Sequence, residues 1–174
     1  MNKKRPRSFN VETPVGGITI VFEEKPFLLR NILLPGKGKN IPIDSVHRDL
    51  SGRKGGSDKI KEISRLIHDK LSGKKIQPPW DLMLMDGFTE LQKAVYRQTS
   101  EIPYGSLSTY KKIAEAIGRP GAYRFAGTTL AKNPFPILIP CHRVIRSDNK
   151  IGGFGGGIAL KQRLIQQEAS AGLL

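Results

Sequence analysis

The sequence predicts an α+β protein in two parts, a small α/β domain over residues 1–86 and a helical domain over residues 87–174. Three observations carry this. The first half holds two apolar, β-rich runs, "GITIVF" and "LLRNILL", followed by a helical pattern. A proline pair, Pro78-Pro79, interrupts "KKIQPPWDLMLMDG" and forbids a regular helix there, so this stretch is read as the link between domains. Beyond Gly87 the spacing of apolar residues is helical, with two short helices joined by a tight, glycine-containing turn.

Residues 1–8 are basic and are expected to fray. The two strands follow, broken by Glu23-Glu24-Lys25-Pro26. "GKGKNIPIDSVHRDLSGRKGGS" is rich in Gly, Lys and Asp and reads as a long loop. In "DKIKEISRLIHDKLSG", Ile60, Ile63, Ile67 and Leu71 share a helical stripe and Gly73 stops the helix. After the link, Thr89 and Gln92 have the spacing of a capping box and open a helix through Leu91 and Val95. "EIPYGSLS" is a turn region. "TYKKIAEAIG" is a short helix with Tyr110, Ile113, Ala114 and Ile117 on one face and Gly118 as its stop. "RPGA" turns the chain, and "AYRFAGTTLAKN" is a second helix, ended at Asn133 because Pro134 disfavours a helical residue before it. "PFPILIPCHRVIR" reads as extended, "SDNKIGGFGGG" as a glycine-dense loop, and "IALKQRLIQQEASAG" as the closing helix.

With 38% hydrophobic residues the chain can build a core. Its 29 Lys and Arg outnumber 15 Asp and Glu, a net charge of +14, which points to a polyanionic partner such as nucleic acid. The excess is spread over both halves: 17 Lys and Arg against 9 Asp and Glu in residues 1–85, and 12 against 6 in residues 86–174. The helix pair joined by a tight turn is a helix-turn-helix pattern; many all-α folds contain one, and here the charge adds weight to a DNA-binding reading. The one cysteine excludes an internal disulfide, the charged start leads into no apolar stretch of signal-peptide type, and no run approaches 18 apolar residues. A cytoplasmic, reducing setting without membrane contact is therefore expected.

That cysteine is Cys141, in "PCHRV", with His142 beside it. A thiol is a strong nucleophile only as thiolate, and a neighbouring base gives access to that form. In an extended chain adjacent side chains point apart, so direct contact requires a bend, which Pro140 would supply, or a bridging water. A carboxylate would be needed to orient the imidazole. Of the six acidic residues in the second half, Glu168 shares a helical face with Leu160 and Leu164, and His142 and Arg143 are both candidate partners; a solvated glutamate at a helix end is the other reading. Cys141 itself reads either as a nucleophile or as a small buried thiol after an apolar run. His47 and His68 have no companion cysteines, no metal-ligand spacing occurs, and both are read as surface residues.

"PILIPCHRVI", preceded by "KNPF" and followed by "GGFGGGIALK" and a late glutamate, resembles the O6-alkylguanine-DNA alkyltransferases, also called methylated-DNA–protein-cysteine methyltransferases. The resemblance covers roughly residues 88–170, with "IPYGSLSTYKKIA" and "AYRFAGTTLAKNP" at the expected distances. It implies an RNase H-like N-terminal domain and a winged-helix-type C-terminal domain. It implies irreversible, single-turnover transfer of an alkyl group to Cys141 from O6-alkylguanine, with O4-alkylthymine as a second substrate, after base flipping. His142 would be the base, acting through a water, Glu168 would hold it, and Asn133 would brace the turn presenting the active-site loop. Tyr110 would contact the phosphate and the purine, and Arg124 would fill the gap in the base stack. The carbonyls of Cys141 and Val144 and the amide of Gly155 would meet the guanine, with Thr109, Tyr123, Arg143 and Phe154 completing the substrate and DNA contacts. No cofactor and no metal are implied. The partner would be double-stranded DNA, entered by its minor groove, and the protein a monomer. Phe154 stands where many relatives have tyrosine, Gly155 where some have serine, and Tyr123 is bulkier than expected beside the arginine. A lesion-binding protein that does not react, a turning-over cysteine hydrolase and a transcriptional regulator are the competing readings. The first would lack the cysteine, the second has no use for the helix pair, and the third leaves Cys141, His142 and Glu168 unexplained.

Overall fold

The computed structural model describes residues 6–35 and 56–171. Residues 36–55, which hold His47 and nearly all of the expected loop, lie outside them, as do 1–5 and 172–174. Strands β1 (Arg7–Val11), β2 (Ile18–Glu24) and β3 (Phe27–Leu33) form an antiparallel sheet in that order. The fraying expected through residue 8 is corrected here: Arg7 and Ser8 pair with Phe22 and Val21, and the Arg7 guanidinium lies 2.8 Å from Glu24. Ile18, Ile20 and Phe22 alternate onto one buried face. Leu29 and Ile32, three apart in β3, both face the core because Arg30 is an extra residue in the ladder: Phe22 pairs with Leu29 and Val21 with Asn31.

Helix α1 (Gly56–Leu71) buries Ile60, Ile63, Ile67 and Leu71, the stripe the sequence marked. The proline-bearing link does more than connect. After a 3₁₀ turn at Trp80–Leu82 it runs beside β3, where Met83 bridges to Leu29 and the Leu84 amide donates to the Leu29 carbonyl at 2.8 Å.

Helix α2 (Glu90–Ser100) opens with the full capping box, the Thr89 and Gln92 side chains each accepting from the other residue's backbone amide. Strand β4 (Ser108–Thr109) leads directly into α3 (Tyr110–Ala116), whose N-cap is Thr109. Gly118, at φ +70°, ends that helix in a conformation glycine adopts without strain. A 3₁₀ turn at Pro120–Ala122 joins it to α4 (Tyr123–Ala131), against which α3 packs.

The segment 134–146 departs from the extended reading. Only β5 (Val144–Ile145) is strand, pairing in parallel with β4. Ahead of it, Ile137 turns the chain at φ +72°, and Ile139 donates to the Phe135 carbonyl. Pro140, at φ −79° and ψ 62°, centres an inverse γ-turn closed by the Cys141 amide on the Ile139 carbonyl at 2.8 Å. Prolines restrict φ and remove ladder donors, so a run carrying Pro134, Pro136 and Pro140 coils despite its apolar texture. Helix α5 (Ile158–Ala171) closes the chain.

One apolar cluster contains residues of both halves, from Ile20, Ile32 and Ile63 to Val95, Phe135 and Leu164. The Ile32 amide donates to the Pro134 carbonyl at 2.7 Å, tying β3 to the loop that carries the cysteine.

Candidate active site

Cys141, His142 and Arg143 occupy one 3₁₀ turn between the Pro140 bend and β5. In a turn of three residues, neighbouring side chains are not held on opposite faces as they would be in a strand. Cys141 is 5% exposed, and its Sγ accepts from Asn133 Nδ2 at 3.1 Å. The same amide nitrogen donates to the Ile139 carbonyl at 3.0 Å, and Asn133 Oδ1 accepts from the Phe135 amide at 3.0 Å. Asn133 thus spans the loop at three points. Burial pushes the Cys141 thiol up; the Asn133 hydrogen bond, the Lys161 charge and the amides of Cys141 and His142 oppose this without cancelling it.

The His142 ring is buried and its Nε2 lies 2.8 Å from Glu168 Oε1. Burial holds its pKa below the ordinary value against the pull of Glu168, so the imidazole is neutral near pH 7. Burial alone would raise the Glu168 carboxyl, but hydrogen bonds and charge from His142 and Arg143 bring it below its usual range, so it is ionised. An ionised carboxylate only accepts, which assigns the ring proton to Nε2 and leaves Nδ1 with a free lone pair. Nδ1 is the one buried side-chain nitrogen or oxygen with no hydrogen-bond partner among the described residues.

Arg143, expected among the substrate and DNA contacts, is turned inward. It is 4% exposed, donates to both oxygens of Glu168 and to the Ile102 carbonyl at 2.6 Å, and lies over the Tyr104 ring. A carboxylate this buried needs a permanent cation, and Arg143 is the one in reach. The Gly105 amide adds a donor to Glu168 Oε2 at 3.1 Å.

A cavity of about 190 Å3 opens on Cys141. Asn133, Phe154 and Gly155 line it, and its far wall is β3 and the residue after it, Asn31 to Leu34. The Phe154 ring meets His142 edge to face at 6.4 Å. A β-carbon on Gly155 would touch nothing, whereas one on Gly156 would lie 2.7 Å from Leu160 Cδ2 and 2.9 Å from Leu34 Cδ1. Close backbone approach in the glycine loop is thus demanded at Gly156, by packing.

The structure brings Tyr110 to the flank of this centre, against Gly152 and with its ring 5.8 Å from Lys161 Nζ, though it does not line the cavity. Thr109 caps α3. Arg124 and Tyr123 are exposed on α4, the guanidinium 5.8 Å from the Tyr123 ring. The Val144 carbonyl is occupied by Lys161 Nζ at 2.6 Å, and the Cys141 carbonyl by the Val144 amide, which leaves one lone pair on each.

Sequence reasoning missed two parts of the site. Lys161 is fully buried, bonds the carbonyls of Val144 and Gly153, and is pushed down to about 8 by burial. Its signal was available, since it precedes Leu164 by three and Glu168 by seven on the same buried stripe. The wall from β3 had no such signal. Among the described residues no cluster of His, Cys, Asp or Glu is placed to hold a metal.

Residues 90–170 match the family model described as the DNA-binding domain of 6-O-methylguanine DNA methyltransferase. A methylated-DNA–protein-cysteine methyltransferase of Methanosarcina barkeri is 37% identical over 158 residues, 91% of this chain and 94% of that protein. This chain belongs to the methylated-DNA–protein-cysteine methyltransferase family. Another member, from Methanothermobacter thermautotrophicus, is 44% identical over 111 residues, covering 63% of this chain and 61% of that one. The crystal structure of Mycobacterium tuberculosis O6-methylguanine methyltransferase superposes with a TM-score of 0.70 at 28% identity, over 95% of this chain and 94% of that one. The same mycobacterial protein in complex with DNA gives 0.68 at 27% identity, with the same coverage. The methyltransferase fold, an N-terminal sheet followed by a helical C-terminal part, is therefore common to these chains.

Proposed function

We propose that this chain repairs DNA by direct reversal, taking the alkyl group of O6-alkylguanine onto Cys141 in one irreversible turnover. The observation that carries the mechanism is the buried, unpartnered Nδ1 of His142, next in sequence to the only cysteine, in a ring whose other nitrogen is anchored by Glu168.

The resting thiol is neutral. As it approaches the alkyl carbon, its proton passes through a water to Nδ1, and the carboxylate stabilises the imidazolium that forms. The S–C bond forms as the C–O6 bond breaks, the electron pair goes to the guanine, and the proton is delivered there. The products are S-alkylcysteine and guanine. A thioether offers no leaving group, so the protein is consumed, and no step calls on a cofactor or metal. O4-alkylthymine presents the same carbon on an exocyclic oxygen and fits as a second substrate.

A base in a duplex cannot reach a thiol that is 5% exposed, so the nucleotide must be flipped out. Arg124, exposed on α4 beside Tyr123, would occupy the gap from the minor-groove side, and Tyr110 would meet the flipped nucleotide. Residues 1–86 would then form a supporting domain and 87–174 the domain that binds DNA and reacts, as a monomer. No helix among the described residues is long and apolar enough to cross a membrane, and the cytoplasm of a prokaryote is the proposed setting.

Intact-mass measurement after incubation with an O6-methylguanine oligonucleotide tests the reading. A gain of one methyl on Cys141, stopping at one equivalent and absent in Cys141→Ala, is expected. Binding without a mass gain reduces the protein to lesion recognition, and neither binding nor gain discards the proposal.

A further inference from the structure

A second cavity, about 230 Å3, is lined by Arg143 and lies between the end of α1 and the α2–β4 turn. We propose that it binds a small oxyanion, a phosphate group in particular, with Lys70 as its buried cation. Lys70 is 6% exposed and lines the cavity, yet its side chain makes no hydrogen bond and no ion pair within 4 Å among the described residues. An ammonium at a cavity wall, carried by a mostly buried side chain and without a partner, carries a desolvation penalty, which an anion relieves. The strain on Lys70 is visible in its pKa, pushed down to about 8 by burial and then by the Arg143 charge, with Glu101 and Glu168 opposing.

The lining carries Lys70, Lys74, Lys75 and Arg143 against Glu101. Two of these cations are already neutralised, Lys74 by Asp69 at 2.6 Å and Arg143 by Glu168 at 2.9 Å. Lys70 and the exposed Lys75 remain against one carboxylate, so the cavity holds excess positive charge. The volume is below the range of drug-sized ligands and suits an ion with a few waters or a small phosphomonoester. None of Tyr110, Tyr123 and Arg124 lines it, so a free phosphate rather than the backbone of bound DNA is the fitting source.

Inorganic phosphate titrated into the full chain at constant ionic strength, followed by amide chemical shifts, tests this. Saturable shifts are expected across Gly73–Gln77 and Ile102–Tyr104, with affinity at least tenfold lower in Lys70→Met and severalfold higher in Glu101→Gln. An undamaged duplex, the second probe, should leave these shifts in place. Shifts that do not saturate, or persist in Lys70→Met, mean an adventitious ion only and overturn the proposal. Shifts centred on α3 and α4 and displaced by duplex overturn it too, as does a Glu101→Gln affinity unchanged or lowered. If Lys70→Met does not fold, Lys75→Gln on the rim must weaken phosphate severalfold, and an unchanged affinity there is equally fatal.

Discussion

Glu168 Oε1 lies 2.8 Å from His142 Nε2 while its Oε2 lies 2.9 Å from Arg143 Nε, so one buried carboxylate serves a neutral ring and a permanent cation together. The first contact fixes which ring nitrogen carries the proton. The second keeps the carboxylate ionised at a depth where it would otherwise take up a proton.

Glu168→Gln should therefore damage stability and rate at once. It leaves the Arg143 charge buried without its partner, a loss of about 3–5 kcal/mol for a broken buried pair. It also removes the group proposed to stabilise the imidazolium, so alkyl transfer should slow by about 10²-fold or more. Urea unfolding and single-turnover kinetics measure the two losses separately.

Stability should fall on acidification, beginning near neutrality. His142 has a folded pKa below its ordinary 6.5, so the unfolded chain takes up a proton that the folded chain refuses; this stability is full above 6.5 and erodes as pH drops toward the folded value. Glu168 has a folded pKa below 4.5, so its share is full above 4.5 and is lost as pH falls through the lower folded value. Urea midpoints between pH 7.5 and 4 should decline throughout, and His142→Gln should flatten the part that starts near 6.5.

Two adjacent glycines should respond unequally to alanine. At Gly156 the new methyl meets Leu160 and Leu34 inside van der Waals contact, so overpacking should cost about 1–3 kcal/mol. At Gly155 it meets nothing, and the change should stay within about 0.5 kcal/mol. Thermal unfolding of the pair decides it.

Lys161→Met keeps the length of a buried stem but removes its bonds to Val144 and Gly153. The variant should fold, its glycine loop should exchange amide hydrogens faster, and alkyl transfer should slow about tenfold or more, since a positive charge that favours the thiolate is gone.

Arg124→Ala removes an exposed side chain, so unfolding should be unchanged within about 0.5 kcal/mol. Reaction with a lesion in duplex DNA should drop well below reaction with the free alkylated base, because only the former opens the gap that Arg124 is proposed to fill. Comparing the two substrates on one protein isolates the effect.

The sequence made the chemistry of the site more legible than its shape. Glu168 was visible from its helical register with Leu164, and the capping box and Gly118 stop fell where the spacing put them. The coil at 134–140 was hidden by its apolar residues, since hydrophobicity reports burial while the prolines and Ile137 decide direction. Strand β1 was obscured by the basic residues before it, though it is held by pairing with β2. The Asn31–Leu34 wall and the burial of Lys161 depend on contacts between segments far apart in the chain, which no local pattern encodes.

The hydrogen bond from Ile32 to Pro134 also has a temporal meaning. A ribosome releases the sheet about a hundred residues before the carbonyl that engages it, and Glu168 emerges later still. Cys141 and His142 emerge together, with the Asn31–Leu34 wall already made, and the carboxylate that anchors the ring follows His142 by 26 residues. A chain released only as far as β5 carries the thiol and its neighbouring ring but not the carboxylate that holds that ring, so the proposed one-time transfer waits on α5.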